Sequence, residues 1–394
     1  MLHLPVLKAD ERKHSMDTDK GEKVDLTDAI FQLEKEGEWI VQRVPEPYIE
    51  LDTKYGRKKK IPIEHTWHHK SCGQCGHIPG YSASIFWLNR EFGLDYHDPT
   101  NQTSCTAWNY YASATSNPEA QAAVAIRNFA SAYEVGYFPL IHCGTSFGHY
   151  KEVRHALVHQ PELRRKVKAI MEKLGKPFVI PEEIVHYSEW VLAMKDRIAE
   201  RQQLDMSMIT ATVHPACHYH KLIEDDAIYD SEIYGAQRTA IISGTLKALG
   251  INVADYSTWF DCCGFGFRHI LVSRDFSRSF SVQRKIGVMI EEANPDVTVT
   301  HDTGCVTTLD QSQFAGKAHD KKVGLPVMSD SQMAALAMGA HPYKVLQLHW
   351  HNTDNKAFLE KLGIDHEKKW SEFQHEIQKI KDGKNEYMSW EDAK

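Results

Sequence analysis

The sequence predicts an α/β fold made of two duplicated domains with parallel strands, flanked by N- and C-terminal extensions. Three observations carry this reading. Short β-type runs alternate with helical stretches at the spacing of parallel βαβ units. From His65 onward the same order of elements occurs twice, a repeat of about 130 residues. In both repeats the cysteines fall just after β-type runs, and open α/β sheets bind ligands outside the carboxyl ends of their strands.

In chain order, residues 1–64 form an extension with one short amphipathic helix, Leu26 to Leu33. Residues 65–204 form the first domain. There Cys75 precedes a helix from Ile85 to Phe92 closed by Gly93, and Cys105 follows. A helix capped by Asn117-Pro118 then runs from Glu119 to Val135. The buried-type strand Phe138 to Ile141 delivers Cys143, and Lys176 to Ile180 leads into a helix from Pro181 to Met194. Residues 205–345 repeat the order. The run Met208 to Val213 precedes Cys217; a helix spans Ala236 to Leu249; Asn252 to Tyr256 precedes Cys262-Cys263; a helix spans Ser281 to Ala293; and Val297 to Thr300 delivers Cys305. Leu325 to Met328 then leads into a helix from Ser331 to Met338. Residues 346–394, with a charged helix around Glu367 to Lys381, read as a surface appendage.

A chain of 394 residues with 42% hydrophobic residues and a net charge of −7 is an ordinary globular composition. The acidic balance argues against nucleic acid as the main partner. Neither a signal peptide nor an apolar run of membrane-spanning length is apparent, which places the protein in the cytoplasm as an expectation. Eight cysteines in such a chain favour metal or redox chemistry over disulfides. They divide four and four: Cys72, Cys75, Cys105 and Cys143, then Cys217, Cys262, Cys263 and Cys305. Four thiolates hold an iron-sulfur cluster or a structural zinc. Zinc modules usually take two close Cys-x-x-Cys knuckles, and only Cys72 to Cys75 has that spacing. Gaps of 29, 37, 44 and 41 residues suit a larger cofactor seated between pre-folded strands.

The order Cys, Cys-Cys-Gly, Cys-x-x-(Cys), met twice across residues 70–345, resembles the cysteine-rich CCG domains of the heterodisulfide reductase B-type subunits. The resemblance implies one noncubane 4Fe-4S cluster per domain, five cysteine ligands each, and reduction or formation of disulfides at the clusters. It maps metal ligation onto Cys75, Cys105, Cys143, Cys217, Cys262, Cys263 and Cys305, with Cys72 the substitute that would close a four-thiolate cubane in the first half; Cys262 and Cys263 are the expected catalytic pair. Against the family pattern, Thr308 stands at the fifth position of the second domain, while Ser104 and Ser146 replace cysteines of the first. The chain looks most like the second B-type subunit of the bacterial sulfur-oxidising heterodisulfide reductase-like complex. That likeness implies as partners a flavoprotein, a ferredoxin-like subunit, another B-type subunit and a lipoate-binding sulfur carrier. Two alternatives stand beside it: a degenerate structural or electron-transfer subunit, and a subunit of the thiol:fumarate or succinate:quinone reductase class.

Other features have plainer readings. Gly264 and Gly266 let the backbone approach cluster sulfides and donate N–H hydrogen bonds, rather than forming a dinucleotide loop. His142, His214, His218, His220 and His301 lie near the cysteines and are the nearest replacements where a thiolate is missing. Trp67, Trp108 and Trp259 read as core or shielding. The basic run Arg57 to Lys60 reads as a solvated turn or a contact for an acidic surface.

Overall fold

Two four-stranded parallel sheets with one shared strand order underlie the molecule. The computed structural model describes residues 26–53, 56–70, 78–107, 117–220, 228, 241–265 and 273–382. In chain order the strands are β1 (Ile40–Gln42), β2 (Tyr48–Asp52), β3 (Lys58–Pro62), β4 (Thr66–His69), β5 (Tyr96–His97), β6 (Phe138–Ile141), β7 (Val179–Pro181), β8 (Val185–His186), β9 (Thr210–His214), β10 (Asn252–Ala254), β11 (Val297–Thr300) and β12 (Val327–Ser329). The first sheet runs β5-β4-β6-β8 and the second β10-β9-β11-β12. Every pairing within them is parallel. All residues of β4, β6, β11 and β12 are buried, as expected for parallel strands covered on both faces. The expected duplicated α/β architecture with parallel strands is present.

The register fixes which residues correspond. His69 ends β4 opposite Ile141 of β6, and His214 ends β9 opposite Thr300 of β11. His142 and His301 therefore correspond, followed by Cys143 and Asp302. Those two residues occupy the N-caps of the helices Gly144–His159 and Thr303–Gln311. Three residues further on, Ser146 is the counterpart of Cys305. Spacing alone sets Cys143 against Cys305, and the register corrects it.

One core runs through both halves. The Tyr81 hydroxyl donates to the carbonyl oxygens of His142 (2.5 Å) and His301 (3.1 Å), joining the two corresponding strand ends. Ser84 Oγ donates to Ser331 Oγ at 3.0 Å beside it. His68, His142 and His186 are fully buried, and burial holds their rings neutral, at about 3 for His68 and His186.

Several local expectations need correction. β7 pairs with β1 of the N-terminal extension, and the sheet strand matching β12 is β8, because the first half carries an additional helix, Pro161–Lys173, and β7 itself before β8. The expected helix Pro181 to Met194 forms only over Tyr187–Ala193, after β8. β4 has no strand signature in the sequence, since Thr66, His68 and His69 look polar, yet they are buried. Of the helix expected from Ala236 to Leu249, residues 229–240 lie outside the described residues, and the described helix is Ser243–Ala248.

The basic run is not a solvated turn; it lies on β3, where Lys59 is fully buried and paired with Glu189 at 2.8 Å. Arg57 meets Glu183 at 2.5 Å and Lys60 meets Glu182 at 2.9 Å, so the acidic surface it contacts belongs to this chain. Nor is the stretch after Tyr343 a loose appendage. Leu346, Leu348, Phe358 and Leu359 are buried, and the backbone N–H groups of Asn352 and Thr353 donate to the Asp310 carboxylate. The charged helix spans His366–Lys381.

Candidate metal centre

Four cysteines from three places in the second half converge. Cys217 begins the one-turn helix after β9, Cys262 and Cys263 follow β10, and Cys305 lies in the first turn of Thr303–Gln311. Cys217 hydrogen-bonds to Cys262, and Cys263 to both Cys262 and Cys305. A ring nitrogen of His214, Cys263 Sγ and Cys305 Sγ all lie within 4.8 Å of one another, and all three residues are buried. Cys217 and Cys262 are half-buried, so the constellation has a dry inner wall and a mouth at these two residues.

Local backbone chemistry builds this arrangement. Gly264 has φ 96°, and a Cβ there would stand 2.6 Å from the Ser277 carbonyl oxygen, so only glycine fits. The resulting turn aims two amides at sulfur: Gly264 N–H donates to Cys262 Sγ (3.4 Å) and Phe265 N–H to Cys263 Sγ (3.3 Å). Asp302 caps the helix that carries Cys305, its Oδ1 accepting from Cys305 N–H at 3.0 Å. Burial works against the Asp302 charge, but His218 and the donors around it hold its carboxyl below its ordinary value.

Packed without a cation, these thiols resist ionisation. Hydrogen bonding to Cys262 and burial push Cys217 far up; Cys262, Cys305 and burial do the same to Cys263. For Cys305 the hydrogen bond with Cys263 favours the thiolate, yet burial and the charges of Asp302 and Cys262 outweigh it, and the thiol is pushed up to about 12. A metal's positive charge is what lets several crowded thiols ionise together. The amide donors to sulfur, the soft donor set and the dry wall fit an iron-sulfur centre.

Lys285, which sequence reading missed, lies against this site. It sits in a π-helical turn, Val282–Ile286, with Nζ donating to Thr258 O (2.5 Å) and Trp259 O (3.1 Å) and stacked over Tyr256 at 4.7 Å. Burial lowers its pKa to about 7 against the opposing charges of Cys263, Asp261, Cys305 and Cys262. In sequence it resembles any lysine on a polar helix, which is why only the fold reveals it.

The first-half residues are arranged differently. Ser104-Cys105-Thr106 reproduces the turn of Cys262-Cys263-Gly264: Thr106 N–H donates to Ser104 Oγ at 3.3 Å, and Thr106 has φ 62°. Ser146, counterpart of Cys305, has a buried hydroxyl with no hydrogen-bond partner among the described residues. Cys143 Sγ points instead to the other half, donating to Asp302 Oδ2 and accepting from Thr303 Oγ1, both at 3.3 Å. His69 Nε2 lies 3.0 Å from the Tyr150 hydroxyl and 3.1 Å from the Thr103 carbonyl, and Asn128 joins the same network. Cys72, Cys75, Gly266 and Trp108 lie outside the described residues. In sequence, Cys72 follows His69 by the three positions that separate Cys217 from His214.

Comparisons with known proteins agree with the second-half geometry. Residues 211–310 match the CCG cysteine-rich domain family. The chain is similar to a protein of Archaeoglobus profundus described as like the B subunit of heterodisulfide reductase, 29% identical over 277 residues, 68% of this chain and 88% of that protein. It is also similar to the B subunit of the ferredoxin:CoB-CoM heterodisulfide reductase of Methanosarcina acetivorans, 27% identical over 321 residues, 78% of this chain and 98% of that protein. A crystal structure of a hypothetical protein from Helicobacter pylori shares the fold, with TM-score 0.56 and 13% identity over 86% of this chain. This chain covers 58% of that one.

Proposed function

We propose, on the premise that the chain belongs to the family of heterodisulfide reductase B-type subunits, that it is an iron-sulfur redox subunit whose working centre is held by Cys217, Cys262, Cys263 and Cys305. The convergence of these four thiols at the ends of β9, β10 and β11 is the observation that carries the reading. An iron-sulfur group bound there supplies electrons one at a time. The chain's own residues do the rest. Cys263, Cys305 and His214 exclude water from the inner wall, Gly264 and Phe265 amides hold the sulfurs in place, and Lys285 offsets negative charge.

The half-buried mouth at Cys217 and Cys262 leaves room for a sulfur substrate. Reduction of a disulfide at such a site takes two electrons and two protons and gives two thiols; oxidation of carrier-bound sulfur runs electrons the opposite way. We place the protein in a cytoplasmic heterodisulfide reductase-like complex acting on carrier-bound sulfur, beside flavoprotein, ferredoxin-like, second B-type and lipoate-carrier partners. Among the described residues no helix is long and apolar enough to cross a membrane. The domain limits proposed are 65–204 and 205–345, between extensions 1–64 and 346–394.

A narrower role fits the first half, where Ser104 and Ser146 replace thiols and Cys143 is engaged by Asp302. There the proposal is electron transfer or scaffolding, with Cys105, Cys72 and Cys75 as remaining donors. Anaerobic purification tests the reading as a whole. A brown protein with iron and acid-labile sulfide supports it; a colourless protein holding zinc or no metal overturns it.

A further inference from the structure

We infer that His214 is the fifth ligand of the centre held by Cys217, Cys262, Cys263 and Cys305, taking the coordination place left by the threonine at position 308. The inference rests on the iron-sulfur reading above and deepens it.

Three histidines near the cysteines have ring contacts with groups other than thiols. His301 Nε2 accepts from Ala216 N–H at 2.9 Å, His142 lies 2.7 Å from His68, and the His218 ring meets Thr145 Oγ1 at 2.9 Å. His214 presents a ring nitrogen within 4.8 Å of both Cys263 Sγ and Cys305 Sγ, a separation that one metal ion with bonds of about 2.0–2.3 Å can bridge. It is the last residue of β9, so the sheet fixes its direction, and it is buried at 1% exposure. Thr308 lies one turn after Cys305 on the same helix face, buried, its hydroxyl without a hydrogen-bond partner among the described residues. Threonine is a poor ligand for iron, so position 308 supplies no soft donor, while a His214 ring nitrogen lies among the thiols.

The first half is a built-in control. His69 ends β4 as His214 ends β9, but its Nε2 is tied to Tyr150 and Thr103, and Ser146 stands where Cys305 would. A histidine at this register is therefore common to both sheets, and among the described residues it is His214 that lies against two thiols. Replacing one thiolate by a neutral imidazole removes negative charge from the centre and raises its reduction potential.

The test uses the full chain, purified anaerobically with 57Fe and 15N-histidine. Pulsed EPR of the reduced protein should show a nitrogen coupling that changes with the isotope, and Mössbauer spectra should resolve one iron site with mixed nitrogen and sulfur ligation. In His214→Cys the coupling should vanish with iron retained, and the potential should fall. His214→Ala should lose iron, and the double variant His214→Ala/Thr308→Cys should regain it. Iron present without an isotope-sensitive nitrogen and without a distinct Mössbauer site, or a coupling that survives in His214→Cys, overturns the inference while leaving the iron-sulfur reading intact. Absence of iron from the wild-type protein overturns both.

Discussion

The two halves share sheet order, register and even the turn around their paired positions, yet differ in what they offer a metal. At the end of β9 stand His214 and four thiols; at the end of β4 stands His69 in a network with Tyr150, Asn128 and Thr103. Tyr150 corresponds to Leu309, four residues after Ser146 and Cys305 respectively. Ser104 and Ser146 stand where the second half has Cys262 and Cys305, and His69 lies in a hydrogen-bonded network, while the second half keeps thiols that crowd together. A duplicated scaffold keeps backbone direction at little cost, and donor identity is free to change on top of it.

The sharpest way to break this comparison is to delete one thiol in each half. Cys263→Ala should abolish sulfur turnover altogether, whereas Cys105→Ala should reduce it only in part; steady-state assays with the partner proteins read the difference. Equal losses would erase the asymmetry.

Next in size is the buried Lys59–Glu189 clamp of the first half. Lys59→Met leaves Glu189 charged and buried, and should cost about 3–5 kcal/mol of unfolding free energy in denaturant titrations. Glu162→Ala, at the exposed Arg165 pair, should leave the denaturation midpoint almost unmoved.

The helix caps of the two last sheet strands differ in a titratable group. Asp330 stands where the first half has Tyr187, and burial raises its carboxyl to about 7. A folded value above the ordinary 3.8 means its contribution is fully present below about pH 4 and lost as pH rises through 7. Asp330→Asn should therefore stabilise the protein at pH 8 relative to pH 5, by up to about 3 kcal/mol in urea titrations. A variant no more stable at pH 8 than the wild type would rule out a strained buried carboxylate.

The smallest effect separates the two turns. Gly264→Ala should cost at least about 1–2 kcal/mol and lower iron content, because its φ of 96° suits glycine alone. Thr106→Gly, at φ 62°, should be near neutral in thermal melts.

Much of this was legible in the sequence. Buried parallel strands such as Phe138–Ile141 and Val297–Thr300 announce themselves as apolar or β-branched runs, and the Cys262-Cys263-Gly264 turn carries its own chemistry. What stayed hidden depends on contacts distant in sequence. Thr66 to His69 reads as polar until Tyr150 and His142 are seen against it, and Lys59 reads as solvated until Glu189 arrives from 130 positions away. Loop spacing could not show that Cys143 matches Asp302; only the strand register does.

The central claim is that the second half holds the working centre. Iron and acid-labile sulfide, measured on anaerobically purified wild type, Cys105→Ala and Cys263→Ala together with their Mössbauer spectra, test it most directly. We expect Cys263→Ala to lose the component that Cys105→Ala retains; loss of that component in Cys105→Ala, with Cys263→Ala unchanged from wild type, would contradict the account.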